Sequence, residues 1–281
     1  MHQLLSVLEL SLILSFVSLA AVFTFRFAGF PDLSVDGVFG LGAVLFAKLY
    51  FEGFGYVPSF FFAAFGGLCA GFITASISSR FKVNPILASV IMLTMLYSIN
   101  YRILGTSSQA IYEILESFLG NDGYRIATYL GLVTLLFLSA LFFFRTEFGT
   151  AIRATGSSPE FLTSVGRNVT VYRILLVAIA GGLVATSGAL LAIRFGFAEV
   201  SMGVGTIIIG IASLIIGEKL VGRRSYITQV LAAFVGIFVY ELAVGVALSV
   251  GMSPIDVKLL TGVLTIILLA ITYNERDRLF A

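Results

Sequence analysis

Residues 26–37 read RFAGFPDLSVDG and stand between two apolar runs. An arginine, a proline, two aspartates and two glycines interrupt a chain that otherwise reads as membrane interior. Residues 194–203, RFGFAEVSMG, follow another apolar run and repeat the pattern. Gly29-Phe30-Pro31-Asp32-Leu33-Ser34-Val35 aligns with Gly196-Phe197-Ala198-Glu199-Val200-Ser201-Met202. Each stretch runs glycine, phenylalanine, a small or rigid residue, an acid, an aliphatic, serine and another apolar residue. How the two stretches are read decides the fold.

The 281 residues are 59% hydrophobic and 11% charged, with a mean hydropathy of +1.06. A soluble domain cannot keep that much apolar surface from water, so the chain reads as an all-α, polytopic membrane protein. Strands of a membrane barrel would alternate apolar and polar residues over about ten positions. The apolar runs here are continuous and long enough for helices, which need about 20 residues to cross a bilayer. The single cysteine, Cys69, excludes an internal disulfide. A net charge of +2 gives no attraction to nucleic acid. The run from Leu4 to Phe25 lacks a basic start and is long for a signal peptide, so it reads as the first membrane helix.

Nine spans are expected, at 4–25, 38–51, 57–78, 85–104, 126–144, 172–193, 204–217, 226–250 and 257–273. The second and seventh are short and each follows one of the odd stretches. They read as discontinuous helices, whose irregular backbone is tolerated only inside protein or beside water. Nine crossings with the N-terminus outside put twelve Lys and Arg residues on the cytoplasmic side and five outside. The positive-inside rule therefore gives N-out and C-in. In the outer segment 105–125, Ile111, Ile114, Leu115, Phe118 and Leu119 mark one face of a short amphipathic helix.

The stretches follow the first and the sixth spans, an odd number apart, and so run through the membrane in opposite directions. That pattern marks an inverted-topology repeat, with half-repeats over roughly 4–104 and 172–273 inside one permease domain, 1–281. Transporters of this build place broken helices at the repeat interface, near the solute route. The plainer alternative is chance likeness between two interfacial turns.

Acids within a membrane are costly and face protein or water. Asp32, Asp36 and Glu199 fall at helix breaks, where free N–H groups of the following spans suit their carboxylates. Capping and solute contact both fit them. Pro31, Ser34 and Ser201 complete the lining of the expected pathway. Glu241 lies mid-span in LAAFVGIFVYELAVGVALSVG, residues 231–251. It lines a pathway, pairs with an arginine or hydrogen-bonds between helices. Glu9, near the outer end of the first span, is expected to reach toward water.

The cytoplasmic loop 145–172 reads RTEFGTAIRATGSSPEFLTSVGRNVTVY. Ser157 and Glu160 have capping-box spacing, Pro159 fits a first turn, and Gly166 ends the helix after two turns. A merely well-capped loop helix fits this punctuation, and a rigid helix here, with Gly156 before it and Phe161 on it, is also what a partner ATPase would need to push on.

AIRATGSSPEFLTSVGRNVTVYR (151–173) and AGGLVATSGALLAIRFGFAEVSMGVGTIIIGIASLIIGEKL (180–220) resemble permease subunits of bacterial ABC importers. The branch is that of the branched-chain amino acid and ribose-type permeases, nearest to those for tryptophan and tyrosine. FPDLSVDGVFGLGA (30–43) fits the same group, and the resemblance covers essentially residues 20–220. It implies a multi-pass protein of the bacterial inner membrane, working as two copies with two cytoplasmic ATPases and an external substrate-binding protein. It also implies that Gly156–Gly166 docks on the ATPase and that the solute is a small molecule, an aromatic amino acid foremost. Branched-chain permeases carry an Asn-Phe-Ala-His-type stretch where this chain has Phe30-Pro31-Asp32-Leu33, which argues against branched-chain substrates. The chain lacks the G-x-x-x-x-G-K-[ST] phosphate loop, so ATP hydrolysis is expected in another subunit and no cofactor here. No catalytic constellation or metal cluster is expected either. The competing reading is an ion-coupled secondary transporter acting alone through Asp32, Glu199 or Glu241, which would not require the 28-residue loop.

Overall fold

A computed structural model describes residues 2–111, 122–157, 159–222 and 224–253, with positions 256, 259, 261–263, 265 and 266. The first helix, α1 (His2–Ala21), widens at its end into a π-helical turn, Val22–Phe27. Then come α2 (Val35–Phe51), α3 (Tyr56–Phe81), α4 (Pro85–Leu104), a short strand β1 (Ser108–Ala110) and α5 (Asp122–Arg145). The segment 145–172 forms α6 (Glu147–Ser157) and α7 (Pro159–Ser164). The chain continues through α8 (Val169–Phe195), β2 (Phe197–Glu199), α9 (Thr206–Val221) and α10 (Tyr226–Ser249).

Helix starts are written locally. The Asn84 side chain accepts from the Ile86 N–H at 2.9 Å ahead of Pro85, and Asn168 accepts from the Thr170 N–H at 3.0 Å. Ser225 and Thr228 form a reciprocal capping box at the start of α10.

Six helical stretches are long and apolar enough to cross a membrane: Leu4–Phe27, Tyr56–Phe81, Pro85–Leu104, Ile126–Arg145, Val169–Phe195 and Tyr226–Ser249. The protein is an integral membrane protein. α2 and α9, with 17 and 16 residues, are shorter. Helices thus occupy eight of the expected spans, and the ninth, 257–273, falls mostly outside the described residues. So does most of the amphipathic helix expected after Ile111. Two features depart from expectation: a β1–β2 ladder, which pairs Ser108 with Glu199, and two helices rather than one between 145 and 172.

In the 18-residue apolar windows of α1 and α8, 72% of residues are buried, against 17% in α5, so α1 and α8 form the core and α5 the rim. With no hydrophobic drive between helices in lipid, association relies on close backbone approach and hydrogen bonds. α3 packs on α8 where Gly67 and Gly71 meet Gly181 and Val177, and α9 packs on α10 where Gly217 and Gly236 meet Ala232 and Ser213. A Cβ at Gly42 or Gly188 would collide with the backbone of Ala185 or Phe39, so α2 lies flush on α8. Serines tie the core: Ser18 donates to the Ala233 carbonyl at 2.9 Å, Ser213 to Ser18 at 2.9 Å, and Ser187 to the Ile13 carbonyl at 2.8 Å.

Candidate functional site

The first break starts in the π turn, where the Ala28 N–H bonds back to the Phe23 carbonyl at 2.8 Å. Such wide turns recur at functional sites. Gly29 then takes φ +57°, in the left-handed region that favours glycine. Pro31, half-buried, brings no N–H that would need a partner. Asp32 is buried and accepts from the Ser34 N–H at 2.9 Å and the Ser34 hydroxyl at 2.6 Å, a local turn leading into α2. Ser34 Oγ lies 3.4 Å from Thr74 Oγ1 of α3.

The second break starts at Gly196, which takes φ +72°. Its irregular backbone is satisfied by the segment after α4: Ile111 N–H donates to the Gly196 carbonyl at 2.7 Å and Val200 N–H to the Ser107 carbonyl at 3.1 Å. The Glu199 carboxylate accepts from the Ser201 hydroxyl. Each break therefore holds its acid on the serine two residues ahead. For Glu199 the partner is that hydroxyl and not, as expected, an N–H of the following span.

Those N–H groups are taken by Asp36. From the first turn of α2 its two carboxylate oxygens accept from Gly205 N–H at 2.9 Å and Ile207 N–H at 2.8 Å, at the start of α9. Two helix starts, each the positive end of a dipole, thus lie side by side with one carboxylate between them. Glycine allows the approach: a Cβ at Gly203 would strike the Asp36 carbonyl, and one at Gly40 would lie 2.8 Å from the Val200 carbonyl oxygen. Asn100 of α4, buried, braces this seam by donating to the Gly37 carbonyl at 3.1 Å.

Glu241 stands apart from the breaks. It is buried on α10 between Ala233, which accepts from Ser18, and Gly245, whose Cβ would meet Val7. That stripe faces α1. No arginine pairs with it and nothing hydrogen-bonds its carboxylate among the described residues. Glu9 does not reach toward water: it is buried and pairs with Arg194 at the end of α8. Arg26, at the end of the π turn, pairs with Glu218 at the end of α9, Nε to Oε1 at 2.6 Å. The arginine of each break is thus neutralised by an acid from the other half of the chain. Among the described residues, no group of three or more His, Cys, Asp or Glu could hold a metal ion.

The surface segment connects directly to the first break. Gly156 is the penultimate residue of α6 and not part of a loop; a Cβ there would lie 2.5 Å from the Arg26 carbonyl oxygen and 2.7 Å from that of Phe27. Arg173, on α8, donates to the Ala28 carbonyl at 3.1 Å. α7 presents Glu160 and Phe161 outward and buries Leu162. Gly166 ends it at φ +76°, with Arg167 N–H returning to the Leu162 carbonyl at 2.9 Å. The side chains of Ser157 and Pro159 lie outside the described residues, and with them the expected capping box.

Asn100, Thr74 and Glu218 were not singled out by sequence reasoning. Glu218 lies beside Lys219 near a span end, where charge is ordinary. Asn100 and Thr74 carry no charge to mark them within apolar helices.

Residues 3–271 match the model of the family described as "Branched-chain amino acid transport system / permease component". The chain is 34% identical over 270 residues, 96% of this chain and 91% of the other, to a tyrosine transport system permease protein of Clostridioides difficile. It is 29% identical over 98% of its length to an uncharacterized protein of Rickettsia prowazekii, covering 99% of that chain. It is also 30% identical to a fructose import permease protein of Rhizobium meliloti, over 53% of this chain and 45% of that one. No solved structure matches. The chain belongs to the family of branched-chain amino acid transport system permease components.

Proposed function

We propose that this chain is the membrane permease of an ABC importer, carrying an aromatic amino acid along the seam between its two breaks and driven by a separate ATPase. The observation that carries this reading is the seating of α6 on the first break: Gly156 lies against the Arg26 and Phe27 carbonyls. A push on α6 and α7 from a cytoplasmic partner reaches the break through backbone contact, without an intervening flexible link. The exposed Phe161 and Glu160 of α7 suit such a partner's groove. The end of the bundle that carries α6 also gathers Arg26, Arg153 and Arg224, which supports a cytoplasmic position and an N-terminus outside.

The solute route, on this reading, is lined by Pro31, Asp32, Ser34, Asp36, Glu199 and Ser201, with Glu241 set off on α10. The aromatic preference rests on likeness to the tyrosine permease and on Phe30-Pro31-Asp32-Leu33, which departs from the branched-chain pattern. Two inverted halves account for the paired breaks. Under the matching of Gly29 with Gly196, and of the first residue of α2 with that of α9, Gly42 on Ala185 corresponds to Ser213 on Ser18. Phe39 on Gly188 then corresponds to Gly210 on Ala21. A second copy of the chain, two ATPase subunits and an external binding protein complete the importer.

One observation favours a second reading, an ion-coupled carrier acting alone: Glu241 is buried with no ion-pair partner among the described residues. Purification from native membranes in mild detergent separates the two. An importer permease brings down an ATPase whose turnover rises with a liganded binding protein, and the ligand on that protein names the solute. A lone carrier copurifies with neither.

A further inference from the structure

Between the π turn, α6 and the start of α10 lies a cavity of about 360 Å³, walled by Arg26, Arg153, Arg224, Ser225, Tyr226 and Gln229. Three guanidinium side chains line it, and no acid does among the described residues; Glu218 meets Arg26 from outside the lining. Arg153 is held in place: its guanidinium stacks 4.4 Å from the centre of the Tyr226 ring, and its Nη2 donates to Thr150 Oγ1 at 3.1 Å. Planar donors fixed in this way match the oxygens of a phosphate.

A second cavity, of about 390 Å³ and almost wholly apolar, opens between α1, α5 and α8 beside Leu19, Phe23, Leu136, Phe143 and Ile179. One aromatic ring, that of Phe144, touches linings of both. The Phe144 ring lies 5.2 Å from that of Phe23 on the apolar side. On the basic side it lies 4.8 Å from Phe27 and 6.4 Å from Tyr226. A free phosphate would use only the basic cavity; a phospholipid has a phosphodiester for one and acyl chains for the other. Basic pockets between membrane helices at the cytoplasmic face select anionic headgroups in this way.

We propose that this cavity binds the phosphodiester of an anionic membrane lipid. The proposal rests on the reading that the α6 end of the bundle lies at the cytoplasmic membrane surface. Its ligand would bridge the start of α10, through Arg224, and the coupling segment, through Arg153, while Arg26, already paired with Glu218, forms the wall on the side of the first break.

The test titrates the purified full chain, in neutral detergent, with phosphatidylglycerol, phosphatidylcholine or inorganic phosphate, reading bound adducts by native mass spectrometry. Phosphatidylglycerol is expected to bind in preference to the other two. Arg153→Gln with Arg224→Gln should weaken it about thirtyfold, from the typical attraction of two basic groups to an anionic surface. Arg80→Gln, at the far end of α3, should leave binding unchanged. If the double variant does not fold, Arg224→Gln alone, at an exposed position, should still weaken binding. Arg153→Lys keeps the charge and loses the planar fork, and should fall between. Equal binding of the two lipids, equal occupancy by inorganic phosphate, or undiminished binding by the variants would overturn the proposal. Binding in detergent is indifferent to which face is cytoplasmic, so this failure is separate from failure of the topology, which impermeant labelling reads.

Discussion

Asp36→Asn tests the seam between the two breaks. Asp36 accepts two N–H groups of α9, at 2.9 and 2.8 Å, one on each carboxylate oxygen. Asparagine keeps the shape and one acceptor but turns an NH2 group toward a second N–H donor. The change removes one hydrogen bond to a charged group, worth about 1.5–3 kcal/mol, and a carboxylate at a helix start, worth about 0.3–1 kcal/mol. A net loss of about 2–4 kcal/mol follows, or roughly 4–16 °C in melting temperature at 2–4 °C per kcal/mol. Asp36→Ala removes both acceptors and should cost more. The assay is thermal unfolding of the purified chain in detergent, paired with substrate uptake in reconstituted vesicles. Asp36→Asn should melt lower and transport more slowly, because the start of α9 is no longer held to α2. Melting within about 1 °C of the unaltered chain, with normal uptake, would refute the idea that this carboxylate ties the two short helices together.

Other outcomes follow from the same geometry. Asp32→Asn and Glu199→Gln preserve shape, so stability should change little, whereas uptake should fall clearly in at least one of them, foremost Asp32, measured on vesicles with matched protein content. Gly156→Leu should drive a side chain into the Arg26 and Phe27 carbonyls, lowering ATP-driven uptake roughly tenfold by a coupling loss of about 1–2 kcal/mol, while the chain still inserts. Gly188→Ala, which meets the Phe39 carbonyl, should destabilise by about 1–3 kcal/mol; Gly131→Ala, where a Cβ meets nothing within 4 Å, should be neutral or gain up to about 1 kcal/mol. In a Cys69→Ser background, Ser164→Cys should react with an impermeant thiol reagent only after permeabilisation and Ser108→Cys without it.

Where spans lie was legible because a long apolar run has few alternatives in a bilayer. The two breaks were legible because Asp32, Pro31 and Glu199 are costly in hydrocarbon and therefore conspicuous. The partner of each acid was not. Asp36 reaches α9, 169 residues away, and only the way α2 lies against the second break makes that possible. The β1–β2 ladder stayed hidden for a similar reason: three-residue strands leave no periodicity, and theirs exists to satisfy broken backbone. Glu9 was misread because its exposure depends on Arg194, which comes from the other half of the chain. In the segment 145–172 the punctuation at Gly166 was readable. The extension of α6 through Gly156 was not, because glycine near a run of serines reads as loop until a close backbone contact explains it.

The measurement that tests the central claim most directly is uptake of labelled tyrosine into vesicles holding this chain with its ATPase, with the binding protein added outside. The account predicts uptake only when ATP, the ATPase and the liganded binding protein are all present, and none from a proton or sodium gradient alone. Gradient-driven uptake by the permease without the ATPase would contradict it.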